Sequence, residues 1–458
     1  ATKIHCICVQ DYATGEQKDF IQEQGCQEFI EFHNHERKYI MHNGISFDGP
    51  VLERLLGITI PLENIIDTLL ISQMINAHID GGHSLKSWGK KLTRGGKLEF
   101  KDFEEYSEEM LKYCQQDVHV TRKLMQHLAP KITRFSVSSV RMEHRIRRII
   151  DQQEKNGFYL NVNKAHDLLE ELKTKSEDLK KDLQTIFPTI YTPRFHKTTG
   201  KPLKDHVDEF NPSSRKQVAE RLQKKYNWVP KKTTPTGLPV IDEKVLKELE
   251  YPEAKMIAEY LLYEKRVSQI QSWLKNVKDD SRVHGKVITL GCVTSRMSHY
   301  GPNMAQVPAS YSPYGKECRS LWTIENPDKY CLVGSDASGL ELRCFAHYLE
   351  NPKFTEQVVD GDIHTYNQNI IGLKDRPTAK TWVYAFIYGA GDAKLGQIVG
   401  GNTEAGLASR KRFINKVKGM KTLTNNLINL LQRRKRKYGE YQLVALDKRI
   451  LLARSIHS

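Results

Sequence analysis

Long apolar runs are missing from this 458-residue chain. The longest, such as Ile65-Ile66 before Asp67 or the stretch Ile450 to Leu452, fall far short of the ~20 residues that cross a bilayer. The opening residues also lack the pattern of a secretion signal, so a soluble, cytoplasmic protein is expected. Paired cysteines are missing too. The eight that occur (Cys6, Cys8, Cys26, Cys114, Cys292, Cys318, Cys331 and Cys344) form no C-x-x-C pair and no regular framework. That argues against a structural zinc site and fits a reducing compartment. There is no internal repeat and no low-complexity tract. Negative charge is comparatively scarce, with 55 acidic against 70 basic residues and a formal net charge of +15. A surplus of that size points to an anionic partner, nucleic acid being the commonest, although composition alone is equally served by solubility.

The length leaves room for roughly three domains of ordinary size. Residues 1–129 alternate strand-like runs, beginning with Lys3 to Val9, with helical stretches, as α/β domains do. Residues 130–285 read as mostly helical, with recurring apolar positions at Ile146, Ile149 and Ile150 and again at Leu168, Leu169, Leu172 and Leu179. They enclose a loop rich in Pro, Thr, Lys and His from Phe187 to Pro212. Strand character returns in residues 286–360, notably at Lys329 to Gly334. Residues 361–445 are helical again and contain the basic run Arg433 to Lys437; residues 446–458 form a last short stretch. Strand alternation straight after Ala1 and an uncapped Ser458 read as cut ends.

Two acidic clusters and one cationic stripe carry the chemistry. The first cluster joins Asn43-Gly-Ile-Ser-Phe47-Asp48 to Tyr113-Cys-Gln-Gln-Asp117, the latter on a helix that places Tyr113 and Asp117 on one face. Either aspartate taken singly reads as a surface or capping residue. The second is Ser335-Asp336-Ala337-Ser338-Gly339-Leu340-Glu341-Leu342-Arg343, where a buried strand is expected to deliver Asp336 before a helix begins. The stripe is Arg376, Lys380, Tyr384 and Tyr388, spaced by four along one helix face, with Pro377 in its first turn. Cations at a helix N-terminus make a cradle for a triphosphate, and the aromatics beyond offer a surface for base and sugar.

Together these strings resemble the family A (pol I-like) DNA polymerases, closest to the replicative enzymes of short-tailed T-odd phages. The resemblance spans nearly the whole chain. It implies an α/β plus α architecture: an RNase H-like 3′–5′ exonuclease domain (1–129), then a right-hand polymerase of thumb and connecting helices (130–285), palm (286–360) and fingers (361–445), with an incomplete returning palm (446–458). It implies template-directed deoxynucleotidyl transfer in phage DNA replication, in a host cytoplasm, with primer–template DNA and dNTPs as partners and two Mg²⁺ ions per active site. Asp336 and the Ala337 carbonyl would bind metal in the polymerase site; Asp48 and Asp117 would do so in the exonuclease site, where Tyr113 would hold the attacking water. Glu341 would exclude a 2′-hydroxyl. His364, Arg376 and Lys380 would hold the triphosphate, with Lys380 also a general acid, and Tyr384 and Tyr388 would face base and sugar. A Tyr at 384 implies tolerance of dideoxynucleotides. Arg296, Asn303 and Gln306 would track the minor groove, and Asn211, Ser213, Ser214 and Arg215 would meet phosphates at the thumb tip.

Four departures from the family pattern stand out. The opening strand carries no D-x-E, and the first acidic residue is Asp11, so the exonuclease cluster is expected to be inert. No H-D-E occurs to supply a second polymerase aspartate. The long thumb insertion with which some phage relatives recruit thioredoxin is replaced by the segment Phe187 to Phe210, so thioredoxin is not expected as a partner and the basic loop is free to touch DNA instead. Ser295 stands where the family has Gly. Three readings follow: a polymerase with a proofreading-type domain, a repair nuclease, or a primer–template binding fragment without catalysis. The motif set favours the first.

Overall fold

A computed structural model describes residues 2–427 and 429, apart from positions 78, 197, 231, 232, 235, 236 and 293. The basic run Arg433 to Lys437, the end of the 361–445 segment and all of 446–458 lie outside the described residues. The chain forms two compact units, one from residues 1–153, 287–298 and 334 onward, the other from 154–286 and 299–333.

The first unit opens with a hairpin of β1 (Cys6–Gln10) and β2 (Gln17–Ile21). Its turn is held by Asp11, whose Oδ1 accepts from the amides of Ala13 and Thr14. Helix α1 (Gln22–Phe32) buries Phe29 against Phe20 of the hairpin. Strand β3 (Tyr39–Met41) precedes α2 (Asp48–Leu56) and pairs in parallel with β4 (Ile65–Asp67). Among the described residues the two strand pairs are separate sheets. Helices α3 (Thr68–Ile75), α4 (Leu85–Leu92), α5 (Glu108–Ile132) and α6 (Val137–Asn156) follow. Ser107 caps α5 by accepting from the Met110 amide, and Glu108 and Glu109 in its first turn suit the helix dipole. Leu124 and Leu128 of α5 then close on Ile71 and Trp88, fixing the helix that carries Tyr113 and Asp117. The apolar spacing predicted for α6 is only half used: Ile150 is buried, whereas Ile149 is 65% exposed.

In the second unit β5 (Phe158–Tyr159) leads into α7 (Val162–Ile186). The predicted loop after α7 is instead an antiparallel ribbon, β6 (Ile190–Phe195) and β7 (Pro202–Asp208). The β-formers Ile190, Tyr191, Thr192 and Val207 outweigh the loop-like composition, and Gly200 at φ +65° supplies the left-handed turn residue. Helices α8 (Arg215–Tyr226), α9 (Glu243–Glu248) and α10 (Pro252–Asn276) follow, then β8 (Arg282–Val283), which pairs with β5. Leu168, Leu169 and Leu172 of α7 pack with Tyr263, Val267 and Ile270 of α10. Each such side chain contributes roughly 1.5–3 kcal/mol by leaving water. Next in the chain come β9 (Lys286–Ile288) and β10 (Ser298–Tyr300), which bracket residues 287–298 of the first unit, and then α11 (Gly315–Ser320).

The strand predicted at Lys329 to Gly334 does not form. The segment carries no ladder, and Val333 is 88% exposed. A strand needs a neighbour for its amides and carbonyls, and among the described residues none lies alongside. Returning to the first unit, the chain enters α12 (Leu340–Leu349), α13 (Pro352–Val359), α14 (Ile363–Ile371), α15 (Arg376–Ile387), α16 (Asp392–Ile398) and α17 (Thr403–Lys416). Trp382 anchors this bundle. It is fully buried, stacks on Phe386 at 5.3 Å, and donates from Nε1 to Ser409 Oγ at 3.0 Å.

Candidate active sites

The exonuclease-like carboxylates come together in the first unit. Asp48 begins α2, and burial pushes its carboxyl up to about 6, with the charges of Asp67, Cys114 and Asp117 adding to the shift. Asp117, on α5, is likewise raised by burial, against the pull of Lys97. Lys97 Nζ lies 2.7 Å from Asp117 Oδ2 and 4.7 Å from the Tyr113 ring centroid, so the phenol and the carboxylate both face an internal cation. Burial works against the Lys97 charge, but Asp117 and Tyr113 outweigh it and raise its pKa. Asp67 is structural: it caps α3 and accepts from the amides of Asn43, Ile45 and Leu69. His42, beside this cluster, is pushed down to about 4 by burial, aided by Lys97 and His83, and is therefore neutral near pH 7.

The second set also lies in the first unit. Asp375 caps α15 by accepting from the Thr378 amide at 2.8 Å, and Pro377 sits in its first turn, where no amide is needed. The stripe predicted along this helix is present. Arg376 pairs through Nε with Asp362 Oδ2 at 2.8 Å, while Asp362 caps α14 over His364 and Thr365. Arg376 and Thr365 hold the Asp362 carboxyl well below the usual carboxylate range. His364 is lowered by burial and then by Arg376 and Lys380, so imidazole and both cations share one neighbourhood. Its Nδ1 is buried without a partner among the described residues. Lys380 is exposed and has no ion pair among the described residues.

One turn further along, burial raises the Tyr384 hydroxyl, and the charges of Glu341 and Asp336 add to the effect. The Tyr388 hydroxyl donates to Glu341 Oε1 at 2.9 Å, which ties α15 to the first turn of α12. Asp336 itself is exposed in chain without regular secondary structure rather than on a buried strand. The Ala337 carbonyl accepts from the Leu340 amide at 3.3 Å, leaving its second lone pair free. Arg296 is exposed, and its charge reaches Tyr388. Ser295 before it adopts φ +59°, the conformation for which Gly is suited.

In the second unit Asn303 caps the short turn Met304–Gln306. Asn211 Oδ1 accepts from the Ser213 amide, Ser214 caps α8, and Ser213 Oγ meets Tyr260 OH at 3.2 Å. These hydroxyls serve the fold locally, while Arg215 is exposed.

Buried Asp117 Oδ1 has no hydrogen-bond partner among the described residues, and a cation would satisfy such an oxygen. Yet among the described residues no three His, Cys, Asp or Glu side chains converge as metal ligands. Sequence reasoning missed Lys97, a lone lysine in a loop that carries no signal. It also passed over Asp362, although an Asp two residues before His364 at a helix start is a capping pattern.

Family models match both halves of the chain: "3'-5' exonuclease" over residues 5–133 and "DNA polymerase family A" over residues 169–451. Proteins called "DNA-directed DNA polymerase" from Enterobacteria phage T3 and Escherichia phage T7 are each 31% identical to it, over 93% of this chain and 79% of theirs. "DNA polymerase I" of Aquifex aeolicus is 25% identical over 84% of this chain and 65% of its own. Among solved structures, the POL domain of Pol1 from M. smegmatis, in complex with DNA primer-template and dNTP, superposes with a TM-score of 0.71. The match is 15% identical and covers 94% of this chain and 76% of that one, which speaks for the fold.

Proposed function

This chain belongs to the family A DNA polymerases and carries a 3′–5′ exonuclease domain, and on that premise we propose that α12 and α15 form its deoxynucleotide slot. The observation that carries the reading is the 2.9 Å hydrogen bond from Tyr388 to Glu341, with Tyr384 beside both Glu341 and Asp336. Arg376, Lys380 and His364 receive the triphosphate, Lys380 having no ion pair among the described residues. Tyr384 and Tyr388 bound the sugar and base, and Glu341, held by Tyr388, blocks a 2′-hydroxyl. Lys380 can hand a proton to the departing pyrophosphate. Asp336 and the Ala337 carbonyl are the groups that would hold divalent metal, which when bound supplies charge stabilisation for in-line phosphoryl transfer. A complete polymerase site of this family takes two Mg²⁺ ions. Arg296, Asn303 and Gln306, together with Asn211, Ser213, Ser214 and Arg215, meet primer–template DNA without reading its sequence.

The exonuclease-like site, with Asp117 paired to Lys97 and Asp67 used to cap α3, is assigned no useful hydrolysis. A second reading, a primer–template binder without turnover, draws support from the lack of any three-ligand metal cluster among the described residues. Primer extension with Mg²⁺, run on this chain and on Asp336→Ala, separates the two. Extension by the parent alone supports a working polymerase. Tight primer–template binding by both proteins with extension by neither supports the binder. Failure of the parent to bind primer–template at low salt would sink both.

A further inference from the structure

The ribbon β6–β7 stands off the second unit. Every described residue from 191 to 207 is exposed, including Tyr191 at 65% and Phe195 at 61%. The pairing puts Tyr191 opposite Val207 and Phe195 opposite Pro202 on one face. The other face carries Thr192 opposite His206 and Arg194 opposite Leu203. A bulge separates the two halves of the ribbon. A two-stranded ribbon bare on both faces is marginal in water, so such an element is best explained by something that covers it.

Its charge says what. The acids at the root are already spent on the fold. Asp208 takes Arg221 at 3.3 Å and Gln217 Nε2 at 2.6 Å, and Glu209 takes Gln184 at 3.0 Å. In sequence, residues 191–207 hold four basic residues, among them Arg194, Lys201 and Lys204, against the single acid Asp205. Arg194, Lys201 and Lys204 have no ion pair among the described residues. Six residues separate the end of the ribbon from the exposed Arg215 that opens α8. A net cationic ribbon with aromatics on one face matches a polyanion with sugar faces, and a two-stranded ribbon fits a duplex groove.

We infer that residues 190–208 are a duplex-DNA grip, with Arg194, Lys201 and Lys204 on backbone phosphates and Tyr191 and Phe195 against sugars. Each strand of about 20 Å covers roughly half a helical turn, so the ribbon adds hold on primer–template without reading bases. This rests on the DNA-polymerase reading and extends it to an element that reading does not use.

The test is fluorescence anisotropy of a 24-base-pair primer–template between 50 and 200 mM NaCl with the full chain. The variants are Arg194→Glu/Lys201→Glu/Lys204→Glu, Tyr191→Ser/Phe195→Ser, and a chain in which residues 191–207 are replaced by four glycines. The charge reversals should weaken binding at least tenfold and reduce the slope of log K against log salt by about 2–3, at roughly 0.9 per phosphate. The aromatic pair should cost about three- to tenfold with the slope unchanged. The excised variant should combine both losses while keeping the parent's circular dichroism and melting point, since it leaves the buried cluster around Leu183 and Phe210 in place. Parent-like affinity and slope in all three variants overturns the inference, including the case in which a protein is then found to occupy Tyr191 and Phe195. A parent chain that does not bind primer–template even at 50 mM NaCl instead overturns the polymerase reading.

Discussion

Lys97 and Lys380 each sit beside a tyrosine-bearing helix face, yet one is spent and the other is available. Lys97 is sealed into a pair with Asp117 and covers the Tyr113 ring. Lys380 is exposed, with no ion pair among the described residues, while its neighbour Arg376 is held by Asp362. The Lys97 charge in the exonuclease-like cluster is therefore compensated internally and is not available to an incoming phosphate. The proposed nucleotide slot keeps an uncompensated positive charge among the described residues one turn from Tyr384, and a triphosphate would supply what it lacks.

The contrast breaks most readily at Lys380. Lys380→Ala should weaken dNTP binding to a chain-terminated primer–template complex by about 2–4 kcal/mol. Lys97→Met should leave the same titration unchanged. Equal dNTP affinity in the parent and Lys380→Ala would mean that the exposed lysine is merely solvated.

Lys97→Met should act on stability instead. It leaves a mostly buried Asp117 carboxylate without its counter-charge, at a cost of about 2 kcal/mol near pH 8. Burial already raises the Asp117 pKa, and loss of the lysine raises it further. Where both folded and unfolded chains are protonated the aspartate contributes no penalty, so the difference from the parent should shrink as pH falls towards 4. Urea midpoints at the two pH values measure this, and a pH-independent deficit would point to lost packing by the lysine stem.

How much of this could be read from residues alone depended on whether the signal was periodic. Steps of four from Arg376 to Tyr388, with Pro377 at the start, define a helix face by themselves, and the face is there. The hydrogen bond from Tyr388 to Glu341, 47 positions apart in sequence, has no spacing to announce it; the family likeness implies only that both face a nucleotide. The segment before Asp336 misled because apolar alternation reports strand propensity, whereas a strand also requires a neighbour. The ribbon was hidden by Pro, Lys and Thr, which describe its solvent exposure better than its backbone. Lys97 had no pattern at all; only the tertiary fold brings it to Asp117.

Asp48 sharpens the comparison from the acidic side. With its folded pKa raised to about 6 above an unfolded value of 3.8, the folded chain holds a proton between those limits that the unfolded chain has lost. Stability from this group therefore falls as pH rises from about 4 to 6, and the penalty is full above 6. Asp48→Asn should raise stability by about 1–2 kcal/mol at pH 7, after allowance for partial exposure, and change little at pH 4. A loss at pH 7 would show that the carboxylate is compensated by contacts the charge pattern does not reveal.

The smallest expected effect concerns the turn that presents Arg296 to Tyr388. Ser295 at φ +59° donates its amide to the Cys292 carbonyl at 2.8 Å, and the Cys292 amide is bonded to the Arg296 carbonyl at 3.0 Å. The left-handed conformation costs a residue with Cβ roughly 1–2 kcal/mol, and Gly avoids that cost while losing about 0.4–1 kcal/mol through its freer unfolded chain. Ser295→Gly should accordingly raise stability by about 0.5 kcal/mol, whereas Ser295→Ala, which keeps the Cβ, should change nothing. Denaturant midpoints for the pair separate backbone from side chain. If Ala destabilises while Gly does not help, the hydroxyl, and not the backbone angle, governs how Arg296 is held.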